Sequence, residues 1–102
     1  MGWSPTRVND TQWKVVYASK QSLALEQDQA AGGRNQRRIR GSGALARVTL
    51  KARNRRLYAE LRWQINKESH SQHLGEVTAP NRSANLAAGW KLAHDRGLTN
   101  DE

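Results

Sequence analysis

The sequence predicts an α+β fold: a three-stranded antiparallel sheet packed against a C-terminal helix, preceded by an N-terminal extension containing a short strand, a short helix or both. Three observations predict it. Apolar residues recur at every second position in two runs, 44–50 and 57–65. The polar connections between the alternating runs are short enough to demand antiparallel pairing. After Ala79-Pro80 the apolar spacing lengthens from that of a strand to that of a helix.

Taken in order, residues 1–12 are polar, contain Pro5 and show no period, which suits a loose N-terminal arm. Trp13 to Ala18 (WKVVYA) is a short β-prone run. Ser22 to Ala31 reads as a short helix, capped by Ser22, supplied with apolar contacts by Leu23, Ala24 and Leu25, and stopped by Gly32-Gly33. Residues 1–33 form the expected extension. The stretch from Gly33 to Gly43 (GRNQRRIRGSG) has four arginines, one apolar residue and flanking glycines, so residues 34–43 are expected to be a mobile basic linker or arm.

Residues 44–97 are the expected main domain. Ala44, Ala46, Val48 and Leu50 share one parity, and Arg47, Thr49, Lys51 and Arg53 the other, which is the pattern of a half-buried strand. Beyond the polar Asn54-Arg55-Arg56 connection, Leu57, Ala59, Leu61, Trp63 and Ile65 alternate with Tyr58, Glu60, Arg62 and Gln64. Asn66-Lys67-Glu68 is a second tight turn, and Ser69 to Val77 is the third strand. Asn81 or Ser83 is placed to cap a helix from about Ala84 to Arg96, with Gly97 at its end. Leu86, Trp90 and Ala93 give that helix an apolar stripe, and Gly89 gives it room for a close approach to the sheet. Residues 98–102 are expected to be a frayed acidic tail.

Length and composition bound the function. At 102 residues, 36% of them hydrophobic and none of them Phe, the chain fits one domain with a thin core, in which Trp63 and Trp90 are the expected large members. The absence of cysteine excludes disulfides, a thiolate nucleophile and Cys-ligated zinc. No apolar run approaches the ~20 residues of a membrane-spanning helix, and the N-terminus lacks the apolar segment of a signal peptide. The expected location is therefore cytoplasmic, on the nucleoid in a bacterial cell, with no membrane partner.

Charge points to the partner. The chain has 17 Lys and Arg against 9 Asp and Glu, for a net charge of +8. Eleven of the cations lie between Arg34 and Lys67, a stretch whose only acid is Glu60, while the remainder of the chain is slightly acidic. So local a positive field favours a polyanion. The strand pattern puts Arg47, Thr49, Lys51, Arg53, Tyr58, Arg62 and Gln64 on the solvent face, with Ser71 and His73 from the third strand, and Arg55 and Arg56 at the first connection. Such side chains contact phosphates and base edges: Arg reads guanine O6/N7, Gln adenine N6/N7, and Thr the thymine methyl. A narrow antiparallel ribbon fits a major groove about 12 Å wide. Arg34, Arg37, Arg38 and Arg40 on the arm either enter a narrow A·T-rich minor groove or make unspecific phosphate contacts.

A resemblance carries this further. The strands ARVTLKA and LYAELRW, the segment HLGEVTAP and the helix ANLAAGWKLAHDRG, spanning about residues 44–97, resemble the sheet-plus-helix DNA-binding domains of the AP2 type and the arm-binding domains of tyrosine integrases. His73-Leu74-Gly75-Glu76-Val77 is similar to their third strand. The resemblance implies that the exposed sheet enters the major groove, with Arg47, Thr49 and Lys51 on the first strand and Arg62 and Gln64 on the second making the contacts. This chain departs from the pattern in two places: Asn81-Arg82-Ser83 stands where acidic residues usually open the helix, and its hairpin turns lack Asn-Gly or Asp-Gly.

Catalysis is not expected, and neither a metal nor a cofactor. His70 and His73 are three apart, which on a strand sends them to opposite faces, and His94-Asp95 is an ordinary helical polar pair. The expectation is a double-stranded DNA-binding protein that serves as a regulator, a recombination accessory factor or a mobile-element protein, with a homodimer allowed. RNA and an acidic protein surface remain the alternative partners. RNA is disfavoured because only Tyr58 is clearly placed on the polar face for base stacking.

Overall fold

The computed structural model describes residues 12–14 and 19–99 of the chain. β1 (Arg47–Arg53), β2 (Arg56–Ile65) and β3 (Glu68–Glu76) form one antiparallel sheet in the order β1-β2-β3. Both hairpins turn on two residues with positive φ, Asn54 (52°) and Arg55 (67°), then Asn66 (52°) and Lys67 (69°). That is the type I′ geometry whose twist matches the flanking strands. Asparagine tolerates the first position, but Arg55 and Lys67 occupy positions where glycine is the low-cost choice.

The expected parity holds along β1 and β2: Val48, Leu50, Leu57, Ala59 and Leu61 are buried, while Arg47, Lys51 and Arg62 are exposed. β3 needs one adjustment. Glu60 pairs with His73 but Ala59 pairs with Gly75, so Leu74 is an extra residue, and Gly75 sits at φ 143°. The bulge shifts the parity of the strand. Leu74 and Val77, three residues apart, thereby both reach the core.

α2 (Arg82–Asp95) covers this apolar face with Leu86, Trp90 and Ala93, all fully buried. Asn81 is the cap, its side chain accepting from the Ala84 N–H at 2.9 Å. Burying the Trp90 ring contributes about 4–6 kcal/mol at ~25 cal/mol per Å² for ~150–250 Å². Close approach depends on Gly89, where a Cβ would lie 2.7 Å from Val48 Cγ1 and 3.0 Å from the Ala59 Cβ. Arg82 opens the helix where a cation is disfavoured by the helix dipole. A paired contact with Glu26 compensates, Nε to Oε2 at 2.9 Å and Nη2 to Oε1 at 3.0 Å.

α1 (Lys20–Ala31) packs against α2 and along the outer edge of β1. Ser19, not Ser22, is its N-cap: Ser22 lies at the third helical position and returns a hydrogen bond to the Ser19 N–H, closing a capping box one turn earlier than expected. Gly32, at φ 92°, ends the helix as anticipated. From α1 the buried Gln27 amide donates to the Val48 C=O and accepts from the Val48 N–H, both at 2.9 Å, and its oxygen also accepts from Trp90 Nε1 at 3.0 Å. One side chain thus stands in for a neighbouring strand at the β1 edge. At the other edge, Arg96 donates to the carbonyls of His73 and Leu74.

Three further expectations are corrected. Residues 34–43 are not a free arm. Arg34–Arg37 form a 3-10 turn, Arg38 bridges to Leu45, and Ile39 is buried and bridged to Thr99. Leu98 and Thr99 are not frayed, because Leu98 accepts from the Arg40 N–H at 3.0 Å and Thr99 is fully buried. Trp63 is only half-buried, packed against the rim of the core, where it stacks on His70 with centroids 5.7 Å apart. Of the expected strand over residues 13–18, Trp13 and Lys14 lie outside any strand, and residues 15–18 fall outside the described residues, as do 1–11 of the arm and 100–102 of the tail. Gln12 is anchored, donating to the Ala79 C=O at 3.1 Å.

Candidate nucleic-acid interface

The face of the sheet turned away from α2 is built by register. Arg47 lies opposite Arg62, Thr49 opposite Glu60, Lys51 opposite Tyr58 and Arg53 opposite Arg56. Across the second hairpin, Arg62 pairs with Ser71, Glu60 with His73 and Gln64 with Ser69. Two of these cross-strand pairs are arginine against arginine. Like charges directly opposite are destabilising, by about 0.2–1 kcal/mol on the scale of cross-strand pairs.

Among the described residues the face carries five cations, Arg47, Lys51, Arg53, Arg56 and Arg62, against two carboxylates, Glu60 and Glu76. The ion pairs are loose. Lys51 Nζ is 3.8 Å and Arg62 Nε 3.9 Å from Glu60 Oε1, and Arg56 Nη1 is 3.4 Å from Glu76 Oε1. Exposed pairs of this length contribute little and leave the cations available to another anion. Thr49 is half-buried, and its hydroxyl reaches the Glu60 carbonyl at 3.4 Å, whereas Gln64 is exposed.

Tyr58 does not stand alone. The His73 ring lies 5.8 Å from it at an interplanar angle of 44°, so the polar face carries two neighbouring rings. They border a cleft of 310 Å³ whose walls include Lys51, Arg53, Asn54 and Glu60. The larger cavity of 680 Å³ lies elsewhere, between α1 and the β1 edge, and its described walls contain neither a carboxylate nor a histidine.

The remaining arginines separate into different roles. Arg55 is exposed at the first hairpin tip, and its counterpart Lys67 is exposed at the tip of the second, at the opposite end of the sheet. Arg37 is buried: its Nε donates to the Ala46 C=O at 3.0 Å and its Nη1 to Asp28 Oδ1 at 2.7 Å. It fixes α1 and the 3-10 turn to the start of β1, rather than facing solvent. Arg38 donates to the Gly43 C=O at 3.0 Å within its own loop, and Arg34 and Arg40 are at the surface.

Sequence reasoning left Glu60, Lys67 and Gln27 out of the site and its supports. Glu60 was legible as the lone acid of the basic segment. Lys67 follows Asn as Arg55 does, and that repeated Asn-cation turn was its signal. No local pattern marked Gln27.

His70 and His73 fall on opposite faces of the sheet, as the strand period requires. Among the described residues no group of three or more His, Cys, Asp or Glu side chains converges as a metal-binding set, and no helix is long and apolar enough to cross a membrane. Comparison of the chain with protein-family models, with curated proteins and with solved structures gave no match.

Proposed function

We propose that the protein binds double-stranded DNA by laying the exposed face of β1, β2 and β3 in the major groove. The observation that carries this reading is the register that sets Arg47 against Arg62 and Arg53 against Arg56, with Lys51 between them. A surface built only for solubility gains nothing from like charges held face to face on adjacent strands. A polyanion turns that repulsion into attraction. Dimensions support the same reading. Three strands at ~4.8 Å spacing make a ribbon about 10 Å across, against a groove about 12 Å wide. The ten residues of β2 extend about 33 Å, close to one turn of the duplex. The resemblance of residues 44–97 to AP2-type and integrase arm-binding domains points the same way. Arg55 and Lys67 extend this contact to phosphates at the two ends of the ribbon, and Arg34 and Arg40 add charge beside it.

A second reading has one observation in its favour. The Tyr58–His73 pair offers two rings on the polar face, which is the minimum for stacking unpaired RNA bases. Affinities for duplex DNA, duplex RNA and single strands, compared at about 150 mM salt, separate the two. Tightest binding to duplex DNA, weakened in the Arg47→Ala and Arg62→Ala variants, is the expected result. Tightest binding to single-stranded RNA, lost in Tyr58→Ala, would replace the first reading by the second.

A further inference from the structure

The 680 Å³ cavity between α1 and the outer edge of β1 combines three elements of a binding site. Its volume lies within the range of about 300–1,000 Å³ of small-molecule sites. The first element is an apolar wall, made by Leu23 and Ala24 of α1 and Val48 and Leu50 of β1, with Leu23 left 37% exposed. The second is charge. Five cations line the cavity among the described residues, and three are already engaged: Arg37 by Asp28, Arg82 by Glu26, and Lys14, whose Nζ lies 5.5 Å from the centre of the Trp13 ring. Lys20 and Arg47 are exposed and form no ion pair among the described residues. The third is an open strand edge. Gln27 takes both the N–H and the C=O of Val48, so Val48 turns its backbone groups away from β2. Antiparallel ladders alternate, so Leu50, two residues on, turns its own the same way. The outward N–H and C=O of Leu50 meet no partner among the described residues.

We propose that this cavity binds a small N-acylated apolar amino acid, its carboxylate held by Lys20 and Arg47 and its amide paired with Leu50. The site is separate from the duplex-DNA reading and shares with it only Arg47. Each element selects one part of the ligand. The apolar wall takes an apolar side chain, whose removal from water drives binding. The two unpaired cations select an anion, and no carboxylate on the described walls competes for them. The strand edge selects a donor and an acceptor one residue apart: an amide N–H for the Leu50 C=O, and a carboxylate oxygen for the Leu50 N–H. That is the exchange made by a closely spaced antiparallel pair. It leaves the second carboxylate oxygen for the cations, which donate and do not accept. Acylation of the nitrogen is part of the selection, because a free amino group would carry a positive charge beside Lys20 and Arg47.

Titration of the full chain with N-acetyl-leucine, followed by backbone amide chemical shifts, tests this without any nucleic acid, so its failure leaves the DNA reading untouched. Shifts should concentrate at Leu23, Val48 and Leu50. The uncharged N-acetyl-leucine amide and free leucine should each bind roughly tenfold more weakly, the loss that follows removal of one charge-assisted hydrogen bond. Lys20→Ala and Arg47→Ala should weaken N-acetyl-leucine by a similar factor. Lys20 is exposed at the first position of α1, where the helix dipole disfavours a cation, so its replacement should leave the thermal midpoint of the free protein unchanged. Equal affinities for the acid and its amide, or shifts confined to other faces, would overturn the proposal. So would the absence of any shift at ~10 mM ligand, well above the dissociation constant of even a millimolar site. A peptide ending in leucine that binds more than about tenfold tighter than N-acetyl-leucine would also overturn it, in favour of a protein chain end as the occupant.

Discussion

Replacing Arg55 and Lys67 together by glycine should stabilise the fold and, on the proposed reading of the sheet face, weaken binding to duplex DNA. Both residues hold φ near 70°, at 67° and 69°. The left-handed conformation costs a residue with a side chain about 1–2 kcal/mol. Glycine removes that strain but adds about 0.5–1 kcal/mol of unfolded-state freedom. The balance is a gain of about 0.5–1 kcal/mol at each turn, so 1–2 kcal/mol for the pair. In a domain of this size that raises the unfolding midpoint by about 4–16 °C. The same change removes two cations from the ends of the ribbon. If each meets one phosphate, log K should fall less steeply with log salt, by about 1.8 in slope. Thermal unfolding followed by circular dichroism, and duplex titrations at four or five salt concentrations, measure the two effects independently. A lowered midpoint would refute the strain argument. An unchanged salt slope would refute the role given to the tips, leaving their cations with no account.

Gly89→Ala should destabilise by about 1–2 kcal/mol despite the ~1 kcal/mol that alanine gains in helix propensity, because the new Cβ meets Val48 and Ala59 in a packed core; chemical denaturation reads the sign. Trp90→Ala should cost about 3–5 kcal/mol, and Trp63→Ala distinctly less, since only Trp90 is fully enclosed. Equal losses in thermal midpoint would contradict that ordering. Gln27→Leu should cost about 2–4 kcal/mol by orphaning the Val48 backbone and the Trp90 N–H together, a loss visible as faster amide exchange at Val48.

The sheet and α2 were legible because each repeats one rule over many residues. Period two ran from Ala44 to Leu50 and again from Leu57 to Ile65, and the change of spacing after Pro80 marked the helix. The same regularity placed Arg47, Lys51 and Arg62 on one face. What was missed depended on single contacts across the chain. Arg37 reads as part of a solvated basic run until Asp28, nine residues earlier, is brought against it by the turn after α1. Leu98 and Thr99 read as a tail because nothing local shows that Ile39 and Arg40 pair with them. Trp63 has the parity of a core residue, but parity does not say how completely the core encloses it. Glu60 was hidden in a sum: counting charge subtracts it, whereas the register places it at the centre of the face, between Thr49 and His73.

The salt dependence of binding to a duplex of about 20 base pairs bears most directly on the reading of the basic face. With the five cations of the sheet and the two at the hairpin tips against phosphates, the slope of log K against log salt should approach about −6.3 at about −0.9 per phosphate neutralised, and should become shallower by about 1 when Arg47 or Arg53 is replaced by alanine. A slope near zero, or one that neither substitution changes, would mean that the opposed arginines of β1 and β2 do not meet DNA.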